Sequence, residues 1–132
     1  MNNLPDQEAK IPVDNNTIKR PITDPLSPLP LTRVIILTLI FKFPNITGYQ
    51  LIQLVPKTLH PDISLKTGTV YSELRKLEER KKLLSEQEDT GRKHRRYTIT
   101  NAGKQELVQL SQQIQNRKNF VIGPLLKLIA AL

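Results

Sequence analysis

The chain has 132 residues, with 20 Lys and Arg against 12 Asp and Glu, no cysteine and no tryptophan. That length suits one domain with a modest core, and the lack of cysteine excludes disulfides, thiolate zinc sites and thiol chemistry. The surplus charge is uneven: residues 1–30 hold three basic and four acidic side chains, whereas residues 31–132 hold 17 and eight. A basic foldable part suits a polyanionic partner, because phosphates bound by Lys and Arg release counterions.

Residues 1–30 contain Pro5, Pro12, Pro21, Pro25, Pro28 and Pro30, with little apolar periodicity. Such a stretch buries too little surface to offset its ordering entropy and reads as a disordered arm, in which Lys19-Arg20 could brush DNA. It has no apolar core suited to a signal peptide. The two most apolar stretches, Val34–Phe41 and Phe120–Leu132, fall short of the ~20 residues a membrane helix needs. The expectation is a cytoplasmic protein without a membrane partner, associated with the nucleoid if it binds DNA.

From Leu31 the pattern changes. Leu31–Phe41 is almost wholly apolar; its β-branched content argues strand, while its length and the preceding Pro30 favour a buried helix. Thr47 can cap a helix over Gly48–Val55 with Leu51, Ile52 and Val55 on one face, stopped or bent by Pro56. After a loop, the most regular helix runs from about Thr67 to Lys82, with Val70, Leu74, Leu77 and Lys81 along its inner side. Short helix, loop and longer helix make the helix-turn-helix grammar.

Leu83–Glu88 and Arg95–Thr100 then read as two strands joined by a turn at Gly91. Thr100 caps a long amphipathic helix carrying Leu107, Leu110, Ile114 and Val121, which Gly123-Pro124 should interrupt before a last apolar stretch with Leu125 and Leu128. The fold class expected is mainly α with a small β-hairpin: a winged helix-turn-helix over 31–100 and a C-terminal dimerisation helix over 101–132. The Leu107, Leu110, Ile114 and Val121 stripe suits a coiled-coil-like seam, hence a homodimer to which Leu125 and Leu128 add; the alternative is packing back on the domain, and a stripe this long can do both.

With Leu74 at the centre of the inner face, the second helix of the pair turns Thr69, Ser72, Glu73, Lys76 and Arg80 outward. Short polar side chains let a helix sit deep in a major groove, where Ser72 and Lys76 can reach phosphates or base edges. Lys66 stands beside its N-terminus, where free N–H groups favour phosphate. Arg92, Lys93, Arg95 and Arg96 form the densest positive cluster, on the hairpin tip and return strand, suited to a phosphate rail or a narrow minor groove. A charged edge strand that resists aggregation is the competing explanation.

Three segments together resemble the PadR family of transcriptional regulators: Thr47–Ile52, Lys66–Glu79 and Gly91–Gly103, the last holding the Arg-rich hairpin and Tyr-Thr-Ile-Thr-Asn-Ala-Gly. The resemblance runs from about Leu31 to Leu110. It implies a winged helix that dimerises through its C-terminal helix, acts mostly as a repressor of transcription, and contacts double-stranded DNA through Lys66, Thr67, Thr69, Tyr71, Ser72 and Lys76, then Arg92, Lys93, Arg95 and Arg96. Tyr71 lies on the boundary of the buried face, where packing is its first role. The chain departs from the family at Thr47, often His there, and at Lys66-Thr67, often Ser-Pro. The glycine that commonly closes the reading helix is replaced within Arg80-Lys81-Lys82.

No catalytic triad, paired carboxylates, metal cluster or phosphate-cradling glycine loop stands out, so neither an enzyme nor a cofactor is expected. The rival functions are a winged-helix protein–protein adaptor and a non-specific architectural DNA-binding protein. A small-molecule effector at the dimer interface is a further reading, little supported by three Phe and three Tyr.

Overall fold

The computed structural model describes residues 24–132. The Lys19-Arg20 pair and most of the arm expected over 1–30 lie outside the described residues. Residues 24–30, expected within that arm, are described: Asp24 opens a turn, accepting from the Ser27 N–H at 2.9 Å and from Leu26 through its carboxylate at 3.0 Å. The described residues fall into two compact units. One is Pro28–Gln115; the other joins residues 24–27 to Asn116–Leu132.

In the larger unit the order is α1 (Leu31–Lys42), β1 (Ile46–Thr47), α2 (Gly48–Thr58), α3 (Thr67–Glu79), β2 (Leu83–Gln87), β3 (Arg95–Ile99) and the start of α4 (Asn101–Arg117). The choice at Leu31–Phe41 is a helix. Ile36, Leu37, Leu39 and Ile40 are all buried, so α1 is enclosed on several sides and serves as the central strut. Around it the core gathers Leu51 and Val55 of α2, Val70, Leu74 and Leu77 of α3, Leu83 and Tyr97 of the sheet, and Leu110 of α4.

Thr47 caps α2 as expected, and more completely. Its hydroxyl accepts from the Gln50 N–H at 3.1 Å, while the Gln50 side chain accepts from the Thr47 N–H at 3.0 Å, which is a capping box. Pro56 does not stop the helix, which runs on to Thr58. The lost Pro56 donor falls in the last turn, where Leu59 N–H still reaches the Val55 carbonyl and the Thr58 hydroxyl donates to Leu54.

α3 ends at Glu79, three residues before the expected Lys82. The Lys82 N–H reaches back to the Leu77 carbonyl and the Lys81 N–H to that of Glu78, with Lys81 at φ 62°. This is a Schellman closure, and Lys81 occupies the position that glycine favours. Lys81 is therefore exposed rather than part of the buried stripe.

The hairpin of β2 and β3 pairs Leu83 with Ile99 and Gln87 with Arg95. Gly91 takes φ 65° in the connecting turn, and Lys93 is left-handed as well. The sheet has a third strand that the pattern did not reveal: β1 pairs antiparallel with β3, Ile46 opposite Tyr97 and Thr47 opposite Arg96. Thr100 accepts from the Gly103 N–H and donates to the Lys81 and Lys82 carbonyls, so the cap of α4 also clasps the end of α3.

In the smaller unit, α4 passes through a π-turn at Lys118–Ile122 into α5 (Gly123–Ala130). The interruption expected at Gly123-Pro124 thus falls just ahead of it, and Gly123 itself is helical. Proline lacks the N–H that would continue the α ladder, and the wider turn, with Gly123 N–H bonded to the Lys118 carbonyl, leads into it. Arg117 donates through Nε to the Pro25 carbonyl at 2.8 Å and through Nη2 to that of Ser27.

Candidate nucleic-acid interface

α3 is held from three directions. Val70, Leu74 and Leu77 are fully buried in the core. On one flank the ring of Tyr71, half exposed, lies against the Cα of Gly48 at the start of α2. On the other, Glu73 Oε2 accepts from Arg33 Nε of α1 at 2.9 Å. The same guanidinium donates to Glu106 of α4 at 3.2 Å, and Lys82 Nζ stands 3.4 Å from the other Glu106 oxygen. Burial works against the Arg33 charge, but hydrogen bonding to Glu73 and the field of the two carboxylates outweigh it and hold its pKa above the ordinary value.

Glu73, expected to face solvent, is drawn into this network and is largely covered. The remaining outer face of α3 presents Thr67, Thr69 and Lys76 in the open and Ser72 half-covered, with Lys66 exposed just before the first turn. Arg80 is exposed but lies past the helix end, as its C-cap. Sequence reasoning missed Arg75, which is exposed. The buried arc from Val70 to Leu77 is centred about 30° from Leu74, and that offset turns Arg75 outward.

The wing residues divide by role. Arg92 and Lys93 are exposed at the hairpin tip and make no side-chain ion pair among the described residues, while the Lys93 carbonyl accepts from the Gln87 amide. Arg95 is exposed and donates to Ser85 Oγ at 2.9 Å, and Ser85 in turn donates to Glu78 of α3 at 2.6 Å. Arg96 is half-covered and engaged within the sheet instead. Its Nε donates to Glu88 at 2.7 Å, its Nη2 pairs with the same carboxylate, and its Nη1 reaches the Asn45 carbonyl at 3.0 Å. Arg96 therefore ties β3 to β2 and to the turn before β1. The Arg96 hydrogen bond holds Glu88 below its usual pKa. Burial raises the pKa of Tyr97, Glu78 adds to the effect, and Arg95 and Arg75 oppose it, so both arginines act on one phenol beneath the wing.

The expected dimer residues also divide. Leu110 is buried in the core of the larger unit, with Leu107 packed against that core. Ile114 and Val121 are half-buried, whereas Leu125 and Leu128 are exposed. The packing-back alternative thus accounts for the first two positions of the stripe.

The family model for the PadR-like transcriptional regulators matches residues 36–109, which is more than half the chain. The chain belongs to the PadR-like family. Its PadR-like region spans the helix-turn-helix pair, the wing and the first half of α4. A transcriptional regulator from Thermoplasma acidophilum is 31% identical with a TM-score of 0.61, over 74% of this chain and 91% of that one. Bacillus subtilis PadR in complex with operator DNA is 30% identical with a TM-score of 0.54, over 61% of this chain and 45% of that protein. This chain thus spans less than half the length of the operator-bound relative. A PadR family transcription regulator from Clostridium difficile is 25% identical with a TM-score of 0.60, over 71% of this chain and 97% of that one. No curated protein matches the chain. PadR-like membership makes the class of activity the regulation of transcription. No described helix is long and apolar enough to cross a membrane.

Proposed function

We propose that this PadR-like chain binds a specific sequence of double-stranded DNA as a homodimer and represses transcription by occupying that operator. α3 enters the major groove, with Thr69, Ser72, Arg75 and Lys76 toward base edges and Lys66 and Thr67 at the flanking phosphate. Arg92, Lys93 and Arg95 follow the adjacent backbone or minor groove. The carrying observation is the outer face of α3: short polar and basic side chains stand free there, while Glu73 is drawn aside by Arg33. A protein–protein adaptor would favour an apolar or acidic face.

The operator-bound relative supports the choice of duplex DNA. The dimer reading rests on the smaller unit, whose Phe120, Ile122, Leu125, Leu126, Leu128 and Ile129 are all exposed in the single chain. So dense a run of exposed apolar side chains marks an association surface. Work on an operator would take place in the cytoplasm, at the nucleoid.

Selection from random-sequence duplexes across a salt series tests the reading. An enriched motif with a steep salt slope supports it; a steep slope without a motif leaves an architectural role, and no binding at low salt returns the adaptor. Light scattering should give twice the chain mass, and Leu125→Glu with Leu128→Glu should give the single mass.

A further inference from the structure

The apolar contacts of α3 are a stripe of three buried residues spanning about 60° of its circumference: they fix which face is buried and leave smaller rotations about the axis to the contacts on its flanks. Those flanks are held by Tyr71 and by Glu78, which accepts from Ser85, on one side, and by Glu73 on the other. Two residues along a helix are about 200° apart around the axis, so these contacts grip opposite flanks. Tyr71 stops against Gly48, and Glu73 is held by a guanidinium that also grips Glu106. Arg33 thereby joins points 40 and 73 residues away in sequence. The four charges of Arg33, Lys82, Glu73 and Glu106 balance, and their side chains are only 16–26% exposed. Charge-assisted bonds in that setting are short and directional.

We infer that Arg33 is a positioning residue for DNA reading, setting the roll of α3 and so deciding which of its outer side chains meet the bases. Arg33 touches no DNA in this arrangement; it acts through Glu73. A roll of only a few tens of degrees (~20–30°), within what the buried stripe tolerates, would swing Ser72 and Lys76 off the base edges they face. Phosphate contacts from the wing and from Lys66 are less sensitive to that rotation, because they carry no sequence information.

The inference rests on the operator-binding function and predicts a split between specific and non-specific affinity. In the full chain, Arg33→Met leaves Glu73 without its partner beside Glu106, which keeps only Lys82, so it loses stability as well. The decisive variant is Arg33→Met with Glu73→Gln and Glu106→Gln, which removes the repulsion with the clamp. Both variants are compared with the parent on the selected sequence and on a scrambled duplex at one salt concentration. The expected result is a thermal midpoint restored in the triple variant, with the ratio of specific to scrambled affinity still lowered about tenfold or more. A triple variant that keeps the parental ratio overturns the positioning role, whatever its stability. A parent chain that selects no sequence overturns the function itself, and is read before either variant.

Discussion

The Tyr71 ring occupies the space that a side chain at Gly48 would need: a Cβ there would stand 2.7 Å from Cε1 and 2.9 Å from Cζ of Tyr71. Glycine at 48 is a condition for the two helices of the helix-turn-helix to meet as they do. The obstructing atoms are the far end of a half-exposed side chain that can swing away. Gly48→Ala is therefore expected to change stability by less than about 1 kcal/mol, the helix preference of alanine offsetting part of the clash. Operator affinity should fall, because the displaced ring frees one flank of α3. In Tyr71→Ala the same glycine substitution should have no further effect on binding, and a double-mutant cycle on operator affinity measures that coupling.

Gly103 is the opposite case. A Cβ at this position would collide with the Lys82 carbonyl oxygen and stand 2.7 Å from Ile99 Cγ1, where α4 crosses the end of α3. The obstruction includes backbone that other hydrogen bonds hold in place, since the Lys82 carbonyl accepts from Thr100. Gly103→Ala should lower stability by about 1–3 kcal/mol, read from the urea midpoint at unchanged slope.

Lys81 closes α3 at φ 62°, where a Cβ crowds the following carbonyl. Lys81→Gly should raise stability by up to about 1 kcal/mol, net of the extra freedom glycine has when unfolded, whereas Lys81→Ala should not. For a domain of this size a gain of 1 kcal/mol corresponds to roughly 4–8 °C in Tm. Calorimetry on the two variants separates the backbone effect from loss of the charge, because both remove the ammonium.

Arg92, Lys93 and Arg95 should behave differently from Arg96. Alanine at either tip residue, Arg92 or Lys93, is expected to weaken binding to all sequences alike and to flatten the log–log salt slope by about one. Arg96→Ala should instead loosen the wing itself, seen as faster amide exchange at Glu88, whose N–H donates to the His94 carbonyl at 2.9 Å.

The Arg96 pair also has a pH signature. The Glu88 pKa is lowered in the folded chain, so the stabilisation from its carboxylate is present above the ordinary value of 4.5 and is lost as pH falls through the lowered one. An NMR titration should place the Glu88 midpoint below 4.5, and Arg96→Ala should move it up toward that value.

Much of the fold was legible because local chemistry and tertiary packing agree. Periodicity marked α3 and α4, Thr47 and Thr100 marked the starts of α2 and α4, and Gly91 marked the wing turn. Where they disagreed, the reading failed for identifiable reasons. Pro56 looked like a stop or a bend, and the stop did not follow because it falls in a final turn that has other donors. β1 is two residues long, too short for any alternation to register. The stripe on α4 could be read as a seam or as core, and Leu110 went to the core.

The sequence by itself determined that a basic helix-turn-helix with an Arg-rich wing would form, since spacing, caps and charge are all local properties. Only the tertiary structure decided which charges remain free. Glu73 and Arg96 look like surface residues in the pattern, yet one is gripped by Arg33, 40 positions away, and the other by Glu88 and the Asn45 carbonyl, 51 positions away. Contacts of that separation leave no periodic trace. They form because folding brings α1 beside α3, and the turn before β1 beside β3, and partly shielded charges that meet there must pair.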